Sequence, residues 1–275
     1  PDGAERYTRR NALGIDINRD ARRLQTPEGK ILKRIRDELD AEFVFNLHDQ
    51  IRYYNPERID KPATISYQAP AYNHAKDIID VRAGEMQLIV LMSDILQRYV
   101  PGKIGRYSDE FEPRAFGDNI QKWGTSTILI ESGGQYDDPE KQAIRKLNYI
   151  SIATAIFAIA DGSFKTVDIS RYGDIPNNDR KLFDLKIEAA TYGLNGKDYL
   201  VDIGIQRVEI ENEEERGFHY LGKISELGDL STHYGYQNID ASGSRIEPAG
   251  RAEIENLAQV DFQTLLSEGM AYVKT

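Results

Sequence analysis

Cysteine is missing from all 275 residues, which excludes disulfides and thiolate metal ligation and is compatible with an oxidising or a reducing compartment. No two of the four histidines stand in an H-x-H pair, and His219 and His233 are isolated from one another. Positive charge is in deficit, and a formal net charge of -10 argues against a general affinity for nucleic acid. The longest apolar stretch, Tyr149 to Ala160, is too short to cross a bilayer and fits a buried helix, so no membrane span is expected. Internal repeats and low-complexity segments are lacking too. What remains is a chain with 40% hydrophobic residues, ample for a core, and a length that suits two modest domains. Eight arginines nevertheless lie between Arg6 and Arg36, and such a cluster needs an anionic ligand or a solvated face. Any signal peptide would lie upstream of Pro1, and neither compartment nor oligomeric state carries a signal in this sequence.

Thr26-Pro27-Glu28 reads as an N-cap, a proline at the first helical position and an early acid, after which Ile31, Leu32, Ile35 and Leu39 form one apolar stripe. This helix runs into AEFVFNLHDQ, whose length and strand propensity fit a buried strand ending near His48. Helical spacing recurs over residues 77 to 99 through Ile78, Met86, Ile89, Ile95 and Tyr99. Trp123 to Ser132 reads as a second buried strand, and 139 to 160 as a long helix with Ile144, Leu147 and Ile152 inward. The alternation predicts an α/β domain, a mixed sheet flanked by helices, over residues 1 to 163. From about Gly162 the texture changes to short β-rich runs punctuated by Asn177-Asn178, Asn195-Gly196 and Ser242-Gly243, which predicts a small β-rich accessory domain over 164 to 275. The acidic run Glu209, Glu211, Glu213, Glu214 and Glu215 within it reads as a solvated loop.

Three stretches carry chemistry. In Gly14-Ile15-Asp16-Ile17-Asn18-Arg19-Asp20, adjacent Asn18 and Arg19 offer a fork of donors suited to a free carboxylate. His48, closing the apolar run FNLH, is either a zinc ligand or a hydrogen-bonded structural histidine. Glu131, closing TILIE, is either a general base whose proton affinity is raised by burial or an acid that caps a helix or makes a salt bridge at a strand exit. Both stand where strands end, the edge at which open α/β sheets bind ligands.

Pro1-Asp2-Gly3, Arg9-Arg10-Asn11 and GIDINRD fall in the order of the NPDG, W-R-K-N and G-x-D-x-N-R-N patterns of the carboxypeptidase A-like zinc peptidases, and WGTSTILIESGG resembles that family's last strand. The chain resembles the later part of that catalytic domain over residues 1 to about 162. The resemblance implies a zinc ion held by His48 together with an upstream H-x-x-E that this sequence does not contain, so the chain alone is expected to be inactive. It further implies Glu131 as catalytic base, Arg9 steadying the scissile carbonyl as charge develops, and Asn18 and Arg19 binding the terminal carboxylate. Tyr107 in GRYSDEF is a candidate for a mobile residue that closes over substrate, and Asp118 and Arg114 are candidates for the wall of a specificity pocket. The departures are Thr8 in place of tryptophan and Asp20 in place of asparagine. Arg10, Arg22 and Arg23 read as an exposed basic face.

The implied activity is zinc-dependent hydrolysis of a peptide or peptide-like amide bearing a free carboxylate, with a peptide or an acyl amino acid as substrate. An N-acyl amino acid deacylase of the same fold and a non-catalytic carboxylate-binding module are the alternatives. The order of FDLKIEAATYGLNGKDYLVDIGI, KISELGDLS and NIDASGSRIEPAG is similar to the small β domain flanking the amidohydrolase barrel, and it implies a structural module without chemistry of its own.

Overall fold

The computed structural model describes residues 2–6, 8–212, 217–246, 259–260 and 273–274. Two compact units divide the chain, Pro1–Asp179 and Arg180–Thr275. The first unit runs on past residue 163, because the 3-10 turns Ser163–Thr166 and Ile169–Asp174 put Phe164 and Tyr172 into the same apolar core as the long helices.

After the single helical turn α1 (Asp2–Glu5), helix α2 (Pro27–Leu39) starts where Thr26 accepts the Gly29 N–H at 3.1 Å, and it ends at Asp40, whose φ of 45° is left-handed. Strand β1 (Phe43–Asp49) follows, then the short β2 (Asn55–Pro56) and β3 (Ile65–Gln68). Helix α3 (Asp80–Gln97), β4 (Ile104–Arg106), α4 (Phe116–Lys122), β5 (Ser126–Ser132) and α5 (Gln142–Asp161) complete the layers, and β6 (Asn178–Asp179) pairs with β2. The main sheet has the order β1-β5-β3-β4, with β1 parallel to β5, β3 antiparallel to β5 and β4 parallel to β3. It is mixed, with helices on both faces.

The alternation along β1 separates those faces. Phe43 and Phe45 pack into the large core with Leu88, Ile89, Ile128 and Ile130, whereas Val44 joins a smaller cluster with Ala21, Phe116 and Ile120. Helices α3 and α5 therefore cover one face, and α4 with the segment around Ala21 covers the other. By the same period His48 and its neighbour Glu131 belong to the α4 face.

Several sequence expectations need correction here. Strand β1 is a half-buried edge strand and not a buried one, because among the described residues only β5 pairs with it. The α2 stripe is real but points outward: Ile31, Leu32, Ile35 and Leu39 are all exposed, Leu39 at 71%. The helix is moored instead by polar groups, Arg36 donating to Thr125 Oγ1 at 3.0 Å and to the Trp123 carbonyl at 2.5 Å. Helix α3 is shorter than the 77 to 99 window, leaving Ile78 and Tyr99 outside it and exposed, and β5 begins at Ser126. Helix α5 turns Ile144, Leu147 and Ile152 to the core as expected but is not buried all round, leaving Tyr149, Ile156 and Phe157 exposed, since nothing among the described residues lies on its outer side. At 20 residues it is long and apolar enough to cross a membrane, by length and composition only. In this chain it packs on α3, with Ser151 hydrogen-bonded to Tyr67 at 2.5 Å and Asn148 donating to Ser132 Oγ at 2.9 Å.

In the second unit β7 (Leu182–Leu194), β8 (Lys197–Asn212) and β9 (Gly217–Gly228) form an antiparallel meander, and β10 (Tyr234–Asp240) lies parallel to β7. The short β11 (Arg245–Ile246), β12 (Gln259–Val260) and β13 (Val273–Lys274) extend the order to β12-β9-β8-β7-β11-β13. Asn195 and Gly196, with φ of 52° and 74°, close the β7–β8 hairpin as their dipeptide predicts. Asn178 lies in β6, and Glu209 and Glu211 lie in β8, so neither stretch is the expected turn or loop there. Glu213, Glu214 and Glu215 fall outside the described residues.

Candidate active site

The N-terminal segment supplies the arginines through a small polar scaffold. Asp16 caps the 3-10 turn Ile17–Arg19, accepting the Asn18 N–H at 3.0 Å with one carboxylate oxygen and Arg9 Nε at 2.7 Å with the other. One acid thus orients both Arg9 and the Asn18-Arg19 pair. Burial pushes its carboxyl up, but the Arg9 hydrogen bond and the charges of Arg9 and Arg19 outweigh this and hold it below the usual carboxylate range. Asn18 uses its amide oxygen to accept the Phe116 N–H at 2.9 Å, which pins the segment to the start of α4. Asp20 accepts from Gln25 N at 2.9 Å, Thr26 N at 2.7 Å and Thr26 Oγ1 at 2.7 Å. The carboxylate that departs from the asparagine of the sequence pattern therefore builds the entrance to α2.

His48 and Glu131 are direct partners across the parallel β1–β5 register, so their side chains stand side by side at the ends of two strands. Neither side chain makes a hydrogen bond among the described residues. Burial, aided by the charges of Arg9 and Arg19, lowers the proton affinity of His48 and favours the neutral imidazole. Glu131, only 7% exposed, is pushed up to about 7, first by burial and then by the charge of Asp49, with Lys141 opposing. Lys141 is ion-paired with Asp49 and also donates to the Ser132 carbonyl at 3.3 Å. Just beyond β5, Gly133 donates to the Thr64 carbonyl at 2.9 Å, and a Cβ there would lie 1.9 Å from the Ala63 carbonyl oxygen. Only glycine lets the chain leave β5 so close to a neighbouring backbone.

Tyr107 follows β4 and packs edge-on to Tyr54 with ring centroids 5.8 Å apart. Burial, Tyr54 and the negative charge of Glu131 raise its hydroxyl to about 12, with Arg9 opposing. Arg9 and Arg19 thus act electrostatically on His48, and Arg9 and Glu131 on Tyr107, while Asn18 is fixed to the start of α4 by the Phe116 N–H. Asp118 in α4 is buried, and burial with the Glu112 charge raises it to about 6 against the pull of Arg19. Arg114 is exposed and forks onto Glu112, so it lines no buried wall. Arg10, Arg22 and Arg23 are exposed.

Sequence reasoning gave no part to Asp16, Glu112, Lys141 or Tyr54. Asp16 could have been found from the fixed spacing within GIDINRD. Lys141 and Tyr54 lie far along the chain from Asp49 and Tyr107, and Glu112 lies far from Arg19, so none carries a local signal for the site.

Among the described residues no group of three or more histidine, aspartate or glutamate side chains could hold a metal ion. His48 offers one unpartnered neutral imidazole, whereas a catalytic zinc takes three protein ligands. The described residues therefore do not fit a zinc ion unaided. In the second unit, His233 lies 5.6 Å from the Phe183 ring and beside Thr232 Oγ1 at 3.3 Å, and His219 belongs to β9.

No family model and no curated protein matches the chain. Among solved structures it is similar to the crystal structure of succinylglutamate desuccinylase/aspartoacylase from Rhodobacter sphaeroides, with 13% identity and a TM-score of 0.33. That likeness covers 56% of this chain and 41% of the other.

Proposed function

We propose that this chain carries the carboxylate-recognition and general-base groups of a zinc-dependent hydrolase that cleaves a peptide or peptide-like amide bearing a free carboxylate. The observation that carries the reading is the pair formed by His48 and Glu131, in register, at the ends of two strands and without hydrogen-bond partners among the described residues, with Arg9 held by Asp16 and the Asn18-Arg19 turn capped by the same acid. A buried acid lifted to about 7 can take a proton from water near neutral pH and return it to a leaving amine. Arg9 is the group for the developing oxyanion, and Arg19 with the Asn18 amide nitrogen is the group for the substrate carboxylate. Tyr107, whose hydroxyl stays protonated throughout the working range, is the group that would donate to bound substrate.

Zinc would be held by His48 together with ligands from outside the described residues, and when bound it would polarise the attacking water. A peptidase and an N-acyl amino acid deacylase use the same groups on the same kind of amide. A second reading, a carboxylate-binding module without turnover, is favoured by the absence of a three-ligand cluster among the described residues. The two readings are separated by Glu131→Gln in a protein form that holds zinc. For the hydrolase, turnover drops about a hundredfold to ten-thousandfold while carboxylate binding persists. Binding with no turnover in either form supports the module.

A further inference from the structure

The carboxylate-holding arginine is not a free fork. Arg19 spends Nη1 on the Asn18 carbonyl at 2.7 Å, and its Nε lies 3.4 Å from Glu112 Oε2. Glu112 is in turn gripped by Arg114, with Nε at 2.8 Å from Oε1, Nη2 at 2.7 Å from Oε2 and the Arg114 N–H at 3.1 Å from Oε1. The Glu112 N–H donates to the buried Asp118 at 3.0 Å. Two acids therefore flank the arginine that would receive a ligand carboxylate, and one of them already leans on its donor edge.

We infer that Glu112, restrained by Arg114, is a specificity-determining residue that makes the Arg19 subsite accept monocarboxylates with a neutral or cationic remainder and discriminate against dicarboxylates. This rests on the reading of Arg19 as the carboxylate holder. A ligand carboxylate that grips Arg19 through Nε and Nη2 must displace Glu112, and one that binds end-on through Nη2 lies beside its charge. Either approach is tolerable for a single negative charge because it replaces Glu112 on the Arg19 guanidinium or shares that cation with it. A second carboxylate on a short side chain meets Glu112 and Asp118, while Arg9 is already committed to Asp16 and Arg114 to Glu112 itself. The Arg114 fork holds Glu112 down to about 2, so the discrimination persists across the physiological range.

The experiment titrates the 275-residue chain with N-acetylalanine and with N-acetylglutamate, following the Arg19 Nε–Hε resonance. The wild type is expected to bind N-acetylalanine about three- to tenfold more tightly, the effect of one like charge a few ångströms away in a partly screened site. Glu112→Gln should tighten both ligands and bring the ratio close to one. Arg114→Ala, which frees Glu112 to settle fully on Arg19, should weaken both by several-fold. A ratio unchanged in Glu112→Gln, a wild-type preference for N-acetylglutamate, or an unaltered affinity in Arg114→Ala overturns the inference. Persistent binding in Arg19→Ala instead overturns the reading of Arg19, so the two failures are distinct.

Discussion

Replacing Glu131 by glutamine tests the buried, unpartnered acid without needing substrate or metal. The proton affinity of Glu131 rises from an ordinary 4.5 to about 7 on folding, which at about 1.4 kcal/mol per unit is a differential of about 3 kcal/mol. Below pH about 4.5 the acid is neutral in both folded and unfolded chains. Between that value and about 7 the folded chain keeps a proton that the unfolded chain has released, so stability falls as pH rises through the window. Above about 7 the full cost of the buried carboxylate stands. Glutamine has the same shape and no charge, so Glu131→Gln should stabilise the first unit by about 3 kcal/mol near pH 8 and leave it nearly unchanged near pH 4. For a unit of this size that is a Tm increase of roughly 6 to 12 °C. Thermal unfolding followed by circular dichroism in the presence of a chelator, at both pH values, gives the comparison. An equal Tm difference at the two pH values would refute the reasoning, because it would assign the effect to packing; so would no difference at either.

Three further outcomes are expected. After dialysis the 275-residue chain should retain zinc well below one equivalent by elemental analysis, and tight stoichiometric zinc that is lost in His48→Ala would show that the chain completes its own site. Arg19→Ala should weaken ligands with a free carboxylate by roughly 1.5 to 3 kcal/mol while leaving their amidated counterparts alone, and equal losses on both would make Arg19 a scaffold residue. Asp20→Ala removes three hydrogen bonds at the start of α2 and should cost on the order of 3 kcal/mol in denaturant unfolding, with a cost under about 0.5 kcal/mol showing that Pro27 alone sets the helix start.

The helices and strands of the first unit are written in local patterns, which is why α2, β5 and α5 lie close to where periodicity puts them. Periodicity reports which residues share a face but not what covers that face. Ile31, Leu32, Ile35 and Leu39 make a faithful helical stripe and yet face outward, because Arg36 finds Thr125 and the Trp123 carbonyl, and those partners lie far along the chain. Burial of β1 fails for the same reason. An apolar run reads alike at the centre and at the edge of a sheet, and only strand order separates the two.

Site residues divide along a similar line. His48 and Glu131 each close an apolar run, and a parallel sheet aligns strand ends, so two strand-end residues need only a common register to become neighbours. Arg9, Asp16, Asn18 and Arg19 lie within a dozen residues of one another, short enough for one acid to organise them all. Glu112 has no such help, and Arg114, expected only as part of a pocket wall, shows its hold on Glu112 once α4 brings the segment before it against the N-terminal segment through Asn18 and Phe116. The parts of the site that act through local spacing are therefore legible in the sequence, and those that tune it from a distance are not. That division also says where substitutions should act differently. Changes at Asp16 should disorganise Arg9 and Arg19 together, whereas changes at Glu112 should alter which carboxylates bind while leaving the arginines in place.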